Sequence, residues 1–228
     1  MQNKLEVLYE DNHIIAINKG NHDLVQGDIT GDESLDDRVK KYIKKKHNKP
    51  GDVFLGVVHR LDRPVSGVVL FARTSKALSR LNEMFRENKV KKTYWALVKE
   101  LPQNDSGTLV HYMKKISEQN KSYCYDKQVK DSKRAELEYT LKGRTESFYQ
   151  LEVNLKTGRH HQIRAQLAQM GCPIKGDLKY GYPRSNNYGG IALHAYKIEF
   201  THPVSKEQIS IVAKTPKEEP LWSNLTVK

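Results

Sequence analysis

The run His59-Arg60-Leu61-Asp62-Arg63-Pro64-Val65-Ser66-Gly67 places one carboxylate between two guanidinium groups, with an imidazole just upstream. It lies between two apolar runs, Phe54–Val58 and Val68–Ala72, that read as short buried strands. Loops on a rigid scaffold are where catalytic groups tend to sit, and flanking cations favour the ionised carboxylate. Asp62 is therefore a candidate nucleophile or base, with Pro64 and Gly67 fixing the backbone around it. A loop held by a surface Asp–Arg pair explains the same residues.

A second stretch, Lys156-Thr157-Gly158-Arg159-His160-His161-Gln162-Ile163-Arg164, reads as a glycine turn that opens a helix ending near Gly171. The amide groups and dipole of a helix N-terminus favour anions. At helical spacing His160 and Arg164 share a face, while Ile163 and Leu167 share an adjacent one assigned mainly to the core. The paired histidines match no closed zinc set, so no metal is expected. A third stretch, Lys91-Lys92-Thr93-Tyr94-Trp95-Ala96, reads as a strand with Tyr94 on the face opposite Thr93 and Trp95. Tyr94 fits a half-buried strand position, or a ring that stacks on a flipped base and offers a phenol. A fourth, Gly171 to Gly181, is turn-rich, and its glycines speak for backbone shape.

These stretches need elements to hold them. Strands are expected at Glu6–Tyr9, His13–Asn18, Thr93–Val98, Thr108–Met113, Ser122–Tyr125, Ala135–Leu141, Phe148–Leu155, Ala192–Phe200 and Gln208–Ala213. Helices are expected from Ser34 to His47, with Ser34 as N-cap, and from Thr74 or Ser75 to about Lys89. The inventory is α+β. Leu101–Gly107 is a candidate connection between two halves of one sheet.

Composition narrows the partner. Lys and Arg number 39 against 27 acids, a net charge of +12 over 228 residues. The pI is ≈ 9.5 and the mean hydropathy -0.73. Such an excess favours a polyanion, nucleic acid before membrane, and no long apolar run or leader pattern is present. Cys124 and Cys172 are read as free thiols of a cytoplasmic protein, with one disulfide as the alternative.

Taken together the four stretches resemble the RluA family of pseudouridine synthases, in order, from about Val7 to Ala213. His59-Arg60-Leu61-Asp62 with Ser66-Gly67 resembles the family's catalytic signature, and Lys92-Thr93-Tyr94 its tyrosine motif. Thr157 to Arg164 resembles its arginine motif, followed by Gly176-Asp177 and Tyr180-Gly181. The resemblance implies that Asp62 is the nucleophile, that Tyr94 stacks on the base, that Arg164 pairs with Asp62 and that Arg60 helps displace the target base. It extends substrate contact to His59, Arg63, Arg159, His160 and Ile163. It also implies the family fold, a mixed, largely antiparallel sheet in two halves, flanked by helices around a basic cleft. The chain departs from the pattern at Lys19-Gly20-Asn21-His22, which lacks the Pro and later Gly of the usual Lys-Pro-x-Gly, and at Val65, where a Thr is usual.

Residues 1–228 are accordingly expected to form a single catalytic domain without the small N-terminal S4 RNA-binding domain of many relatives. Isomerising uridine conserves atoms, so no cofactor is expected. The expected partner is structured RNA, ribosomal favoured over transfer RNA, bound by a monomer with no membrane and no obligatory protein partner. Two other classes fit parts of the pattern: an N-ribosyl hydrolase, which would release free uracil, and an inactive RNA-binding module.

Overall fold

The aliphatic run from Ile14 to Ile17 and the run from Val68 to Ala72 are buried at every position, as expected of strands covered on both faces. In the computed structural model, which describes residues 5–27 and 31–227, they become β2 (Ile14–Lys19) and β4 (Ser66–Ala72). The described residues form twelve strands and three α-helices, an α+β fold. The chain forms two compact units, Met1–Val90 with Ala195–Lys214, and Lys91–His194 with Thr215–Lys228.

In the first unit β1 (Glu6–Glu10) pairs antiparallel with β2, with a bulge between Val7 and Tyr9. β2 pairs antiparallel with β4, from Ile14↔Ala72 to Lys19↔Gly67. The two-residue β3 (Gly56–Val57) pairs with β4 as well, shorter than the Phe54–Val58 run. β10 (Leu193–Thr201) pairs antiparallel with β11 (Gln208–Val212). Helix α1 (Leu35–Lys46) buries Leu35, Val39 and Ile43. Ser34 does stand at its N-cap, but the hydroxyl donates to the carboxylates of Asp36 and Asp37 instead of accepting from the backbone. Thr74 caps α2 (Ser75–Arg86) by accepting the Ala77 amide, and the helix stops short of Lys89 because Asn88 turns left-handed at φ 56°. Ile14, Leu70, Leu81 and Phe200 lie in the core that joins this sheet to α2.

In the second unit the antiparallel order is β5 (Lys91–Val98), β9 (Tyr149–Leu155), β8 (Lys133–Arg144), β6 (Ser106–Ile116) and β7 (Lys121–Tyr125). A short β12 (Thr226–Val227) adds to β8. Leu101–Gly107 does not join two halves of the sheet. It lies wholly inside the second unit, running from the turn after β5 into the first two residues of β6, and the chain changes unit at Val90, at His194 within β10 and at Lys214. Helix α3 is Gln162–Gln169, shorter at both ends than its sequence suggested.

Candidate active site

In the first unit the loop after Val57 carries His59 to Arg63. Val65 N–H donates to the Asp62 carbonyl at 3.0 Å, closing a turn around Arg63 and Pro64. Asp62 is half-buried, while Arg60 and Arg63 are exposed, and Arg63 pairs with Asp32 at 2.8 Å. His59 turns inward. Its Nε2 accepts the Leu70 amide at 3.0 Å and its ring stacks on Phe85 at 5.0 Å, so this imidazole ties the loop to β4 and α2.

Two further residues set the loop's shape. Gly67 has φ 116°, and a Cβ there would lie 2.3 Å from the Ala195 carbonyl oxygen, so β10 approaches closely only because this residue is glycine. Lys19, at the end of β2, is 1% exposed. Its ammonium donates to the carbonyls of Gly20 at 2.7 Å and Arg63 at 2.9 Å, so it supports the backbone beside Asp62 from below. Burial pulls Lys19 down to about 7, opposed by the Asp23 and Asp62 carboxylates. The stretch after Lys19, which lacks the usual Pro and Gly, is closed by Asp23. The Asp23 amide donates to the Gly20 carbonyl at 3.4 Å, and its carboxylate accepts from Gly20 N–H at 3.2 Å and from Arg38 at 2.7 Å.

In the second unit Tyr94 on β5 is 8% exposed, on the strand face it shares with Lys92 and Ala96. Burial lowers the Lys92 ammonium, whose Nζ would lie 3.9 Å from a Cβ at Gly158. The polar run before α3 is largely committed to its own shape. Gln162 accepts from Arg159 N–H at 2.9 Å and from Thr157 Oγ1 at 2.8 Å, and donates to the Glu136 carbonyl at 3.0 Å. Arg159 is exposed and donates from Nε to the Arg134 carbonyl. His161 holds a left-handed φ of 54°, so the helix starts only at Gln162 and His160 does not share a helical face with Arg164. The His160 ring stacks on His161 at 3.7 Å and its Nδ1 meets Ser122 Oγ at 2.8 Å. His161 Nδ1 meets the Tyr180 hydroxyl at 3.0 Å. Burial, with Arg164 and His160 nearby, drives His161 down to about 2, so its ring is neutral. Ile163 is 5% exposed, a core position as its spacing to Leu167 suggests.

Arg164 is 5% exposed. Its guanidinium grips Asp177 through two hydrogen bonds, at 2.6 and 2.8 Å, and lies over the Tyr180 ring at 5.1 Å. Asp177 is fixed in turn by Gly176, φ 86°, where a Cβ would fall 2.2 Å from Asn186 Nδ2. The sequence reading placed Gly176-Asp177 and Lys19 within the family-like stretches but gave neither residue a role in shaping the site. The available signals were a lone lysine ending an aliphatic strand, and an acid in the turn-rich segment after the Arg164 helix. The two cysteines are unpaired, and burial pushes the Cys124 thiol up to about 12, which leaves it a poor nucleophile. No described helix is long and apolar enough to cross a membrane.

Comparison with known proteins places these loops in a family. A model described as RNA pseudouridylate synthase matches residues 13–169, which include Asp62, Tyr94 and Arg164. The chain is 34% identical to a ribosomal large subunit pseudouridine synthase C of Buchnera aphidicola, over 91% of this chain and 66% of that one. It is 29% identical to an RNA pseudouridine synthase of Bacillus subtilis, YlyB, over 94% of this chain and 70% of that one. It is 28% identical to a tRNA pseudouridine synthase C of Vibrio parahaemolyticus, over 92% and 90%. The fold matches the structure of human RNA Pseudouridylate Synthase Domain Containing 4 with a TM-score of 0.77, at 23% identity over 93% of this chain and 89% of that one. With the family model spanning more than half of its length, the chain belongs to the RNA pseudouridylate synthase family of isomerases.

Proposed function

We propose that this protein converts specific uridines of structured RNA to pseudouridine with Asp62 as the nucleophile, acting on ribosomal RNA in preference to transfer RNA. The observation that carries the reading is the Asp62 loop itself. It lies inside the matched region, and Lys19, His59 and Gly67 each fix its backbone from a different side. Such support is what a carboxylate needs to meet one sugar carbon reproducibly.

The reaction breaks the bond from N1 to C1′ and joins C5 of the same uracil to C1′. Asp62 attacks C1′ and holds the sugar as a glycosyl ester while the uracil turns. C5 then attacks C1′, the carboxylate leaves, the C5 proton is removed by Asp62 or by Tyr94 acting as base, and N1, which left C1′ as an anion, takes up a proton in its place. Tyr94 serves as the stacking ring, Arg164 supplies a cation to the Asp62 carboxylate, and Arg60 fills the space the uridine leaves. Flipping the base costs a few kcal/mol, which contacts to the RNA backbone must offset. The net charge of +12 supplies the cations for those contacts.

The preference for ribosomal RNA rests on the 34% identity to the Buchnera protein named for the large ribosomal subunit, against 28% for the Vibrio protein named for tRNA. We take residues 1–228 as one catalytic domain that works as a cytoplasmic monomer without cofactor or protein partner. Mapping pseudouridines in cells with and without the gene tests the assignment. A site lost from ribosomal RNA supports it, and a site lost only from transfer RNA would reverse the preference.

A further inference from the structure

Glu219, in the C-terminal segment, is 2% exposed. An acid is seldom buried this far unless donors match its oxygens. Oε2 accepts from Lys175 Nζ and from the Tyr188 hydroxyl, the latter at 3.0 Å, and Oε1 accepts the Leu221 amide at 3.4 Å. All of these groups lie in the second unit. We propose that Glu219 is a positioning residue for the isomerisation. Through Lys175 and Asn186 it holds the turn that carries Asp177, and with it the orientation of the Arg164 guanidinium. The proposal rests on the isomerase reading above, in which Arg164 serves the Asp62 carboxylate.

The path from Glu219 to Asp177 is a circuit in which each hydrogen bond fixes the direction of the next. A carboxylate can only accept. Tyr188 therefore spends its one proton on Glu219, and its oxygen accepts from Asn186 Nδ2 at 2.9 Å. Burial, and then the Glu219 carboxylate, push the Tyr188 phenol well above its ordinary value, so it keeps that proton. With its nitrogen so directed, Asn186 presents Oδ1 to Lys175 Nζ at 2.7 Å. The same nitrogen donates to the Gly190 carbonyl at 2.9 Å. The Lys175 ammonium also lies over the rings of Phe148 and Tyr188, at 5.8 and 5.9 Å.

The circuit bears on the middle of the turn. Lys175 N–H donates to the Leu97 carbonyl at 2.9 Å, Ala192 N–H donates to the Lys175 carbonyl at 2.9 Å, and Asp177 N–H closes the turn on the Ile174 carbonyl at 2.9 Å. Between these ties stands Gly176, left-handed and of the residue type with the most backbone freedom, and Asn186 is seated directly on it. Asp177 follows and grips Arg164 with both oxygens. A two-pronged pair tolerates little movement of either partner. The C-terminal segment has an anchor of its own in Trp222, which is 8% exposed with its ring 6.4 Å from those of Trp95 and His194. Glu219 thus links a separately held segment to the mount of Arg164.

The test uses the full chain. Removing one partner strands a buried charge, so the first variant replaces both, Lys175→Met with Glu219→Leu, an exchange that folded proteins commonly tolerate. Glu219→Gln is the second. It keeps the shape but puts a donor where one oxygen accepted, and it carries the same readouts should the double variant not fold. Rate is read as tritium release from a C5-tritiated transcript of large-subunit ribosomal RNA, and affinity by fluorescence anisotropy on the same RNA. The Arg164 mount is read by NMR, as hydrogen exchange of its Nε proton relative to the Leu151 amide in the core. In both variants kcat should fall about tenfold, with KM and RNA affinity within about twofold of wild type, because a displacement well under about 1 Å already slows a positioned reaction. The Arg164 proton should exchange about tenfold faster relative to Leu151, which is the same loosening seen directly. A merely structural role would lower the melting temperature and leave both the kcat of the folded protein and the relative exchange unchanged, and that result would overturn the proposal. A loss confined to KM would overturn it as well. Should wild type itself release no tritium, the isomerase reading fails, and the exchange decides the link alone: faster relative exchange in the variants supports it, and equal exchange overturns it.

Discussion

Arg164 and Asp177 form a buried two-pronged ion pair, Nε to Oδ2 at 2.6 Å and Nη2 to Oδ1 at 2.8 Å, with side chains 6% and 1% exposed. The pair fixes the guanidinium in one orientation, and Tyr180, which lies under it, ties the same group to Ser122 on β7. Whatever Arg164 does for the reaction, it does from a rigid mount.

Arg164→Met should therefore harm stability as well as turnover. It strands the Asp177 carboxylate in the interior, at a cost of about 3–5 kcal/mol. Urea unfolding of the variant measures this, and a loss under about 1 kcal/mol would show that the pair is dispensable to the fold.

Gly67→Ala should be damaging out of proportion to one methyl group. The backbone there is left-handed, and the new Cβ would collide with the Ala195 carbonyl. A loss of more than about 1 kcal/mol is expected, with a fall in turnover as the Asp62 loop shifts. Wild-type melting and rate in this variant would contradict the close approach of β10.

Glu10 should make the protein sensitive to acid. Its carboxylate accepts from Tyr42, Lys46, His47 and Arg73, the last at 3.0 Å. Burial acts to raise it, but the hydrogen bonds from Lys46, His47 and Tyr42 prevail and lower it from 4.5 to about 2. A carboxylate lowered on folding contributes stability that is full above its unfolded value and fades as pH falls through its folded one. Wild type should melt above Glu10→Gln at neutral pH, and the gap should close between about pH 4.5 and 2. A gap that does not change with pH would contradict this.

The parts of the molecule that sequence reading reached are those where a local pattern decides the outcome. The runs around Ile14 and Val68 read as strands because no polar face interrupts them, and a hydroxyl cap for α2 was legible at Thr74 or Ser75 ahead of the periodic Leu78, Leu81 and Phe85, with Thr74 the one that accepts the Ala77 amide. The start of α3 was misjudged because helical spacing says nothing of a left-handed backbone at His161, a non-glycine residue. His59 entered as a substrate contact with the family-like signature, and spacing alone did not report that its Nε2 accepts the Leu70 amide and so also ties the loop to β4. The roles of Asp177 and Lys19 depend on contacts distant in sequence, with Arg164 and with the Arg63 carbonyl, and no spacing rule reports those.

The central claim is that the Asp62 carboxylate carries the reaction, and Asp62→Asn tests it most directly. The amide keeps the size of the side chain but cannot attack C1′. Tritium release from C5-labelled uridine RNA should fall to background, while RNA affinity stays within a few-fold of wild type because the phosphate contacts lie on other residues. Sustained release by a preparation shown free of deamidated protein would contradict the account.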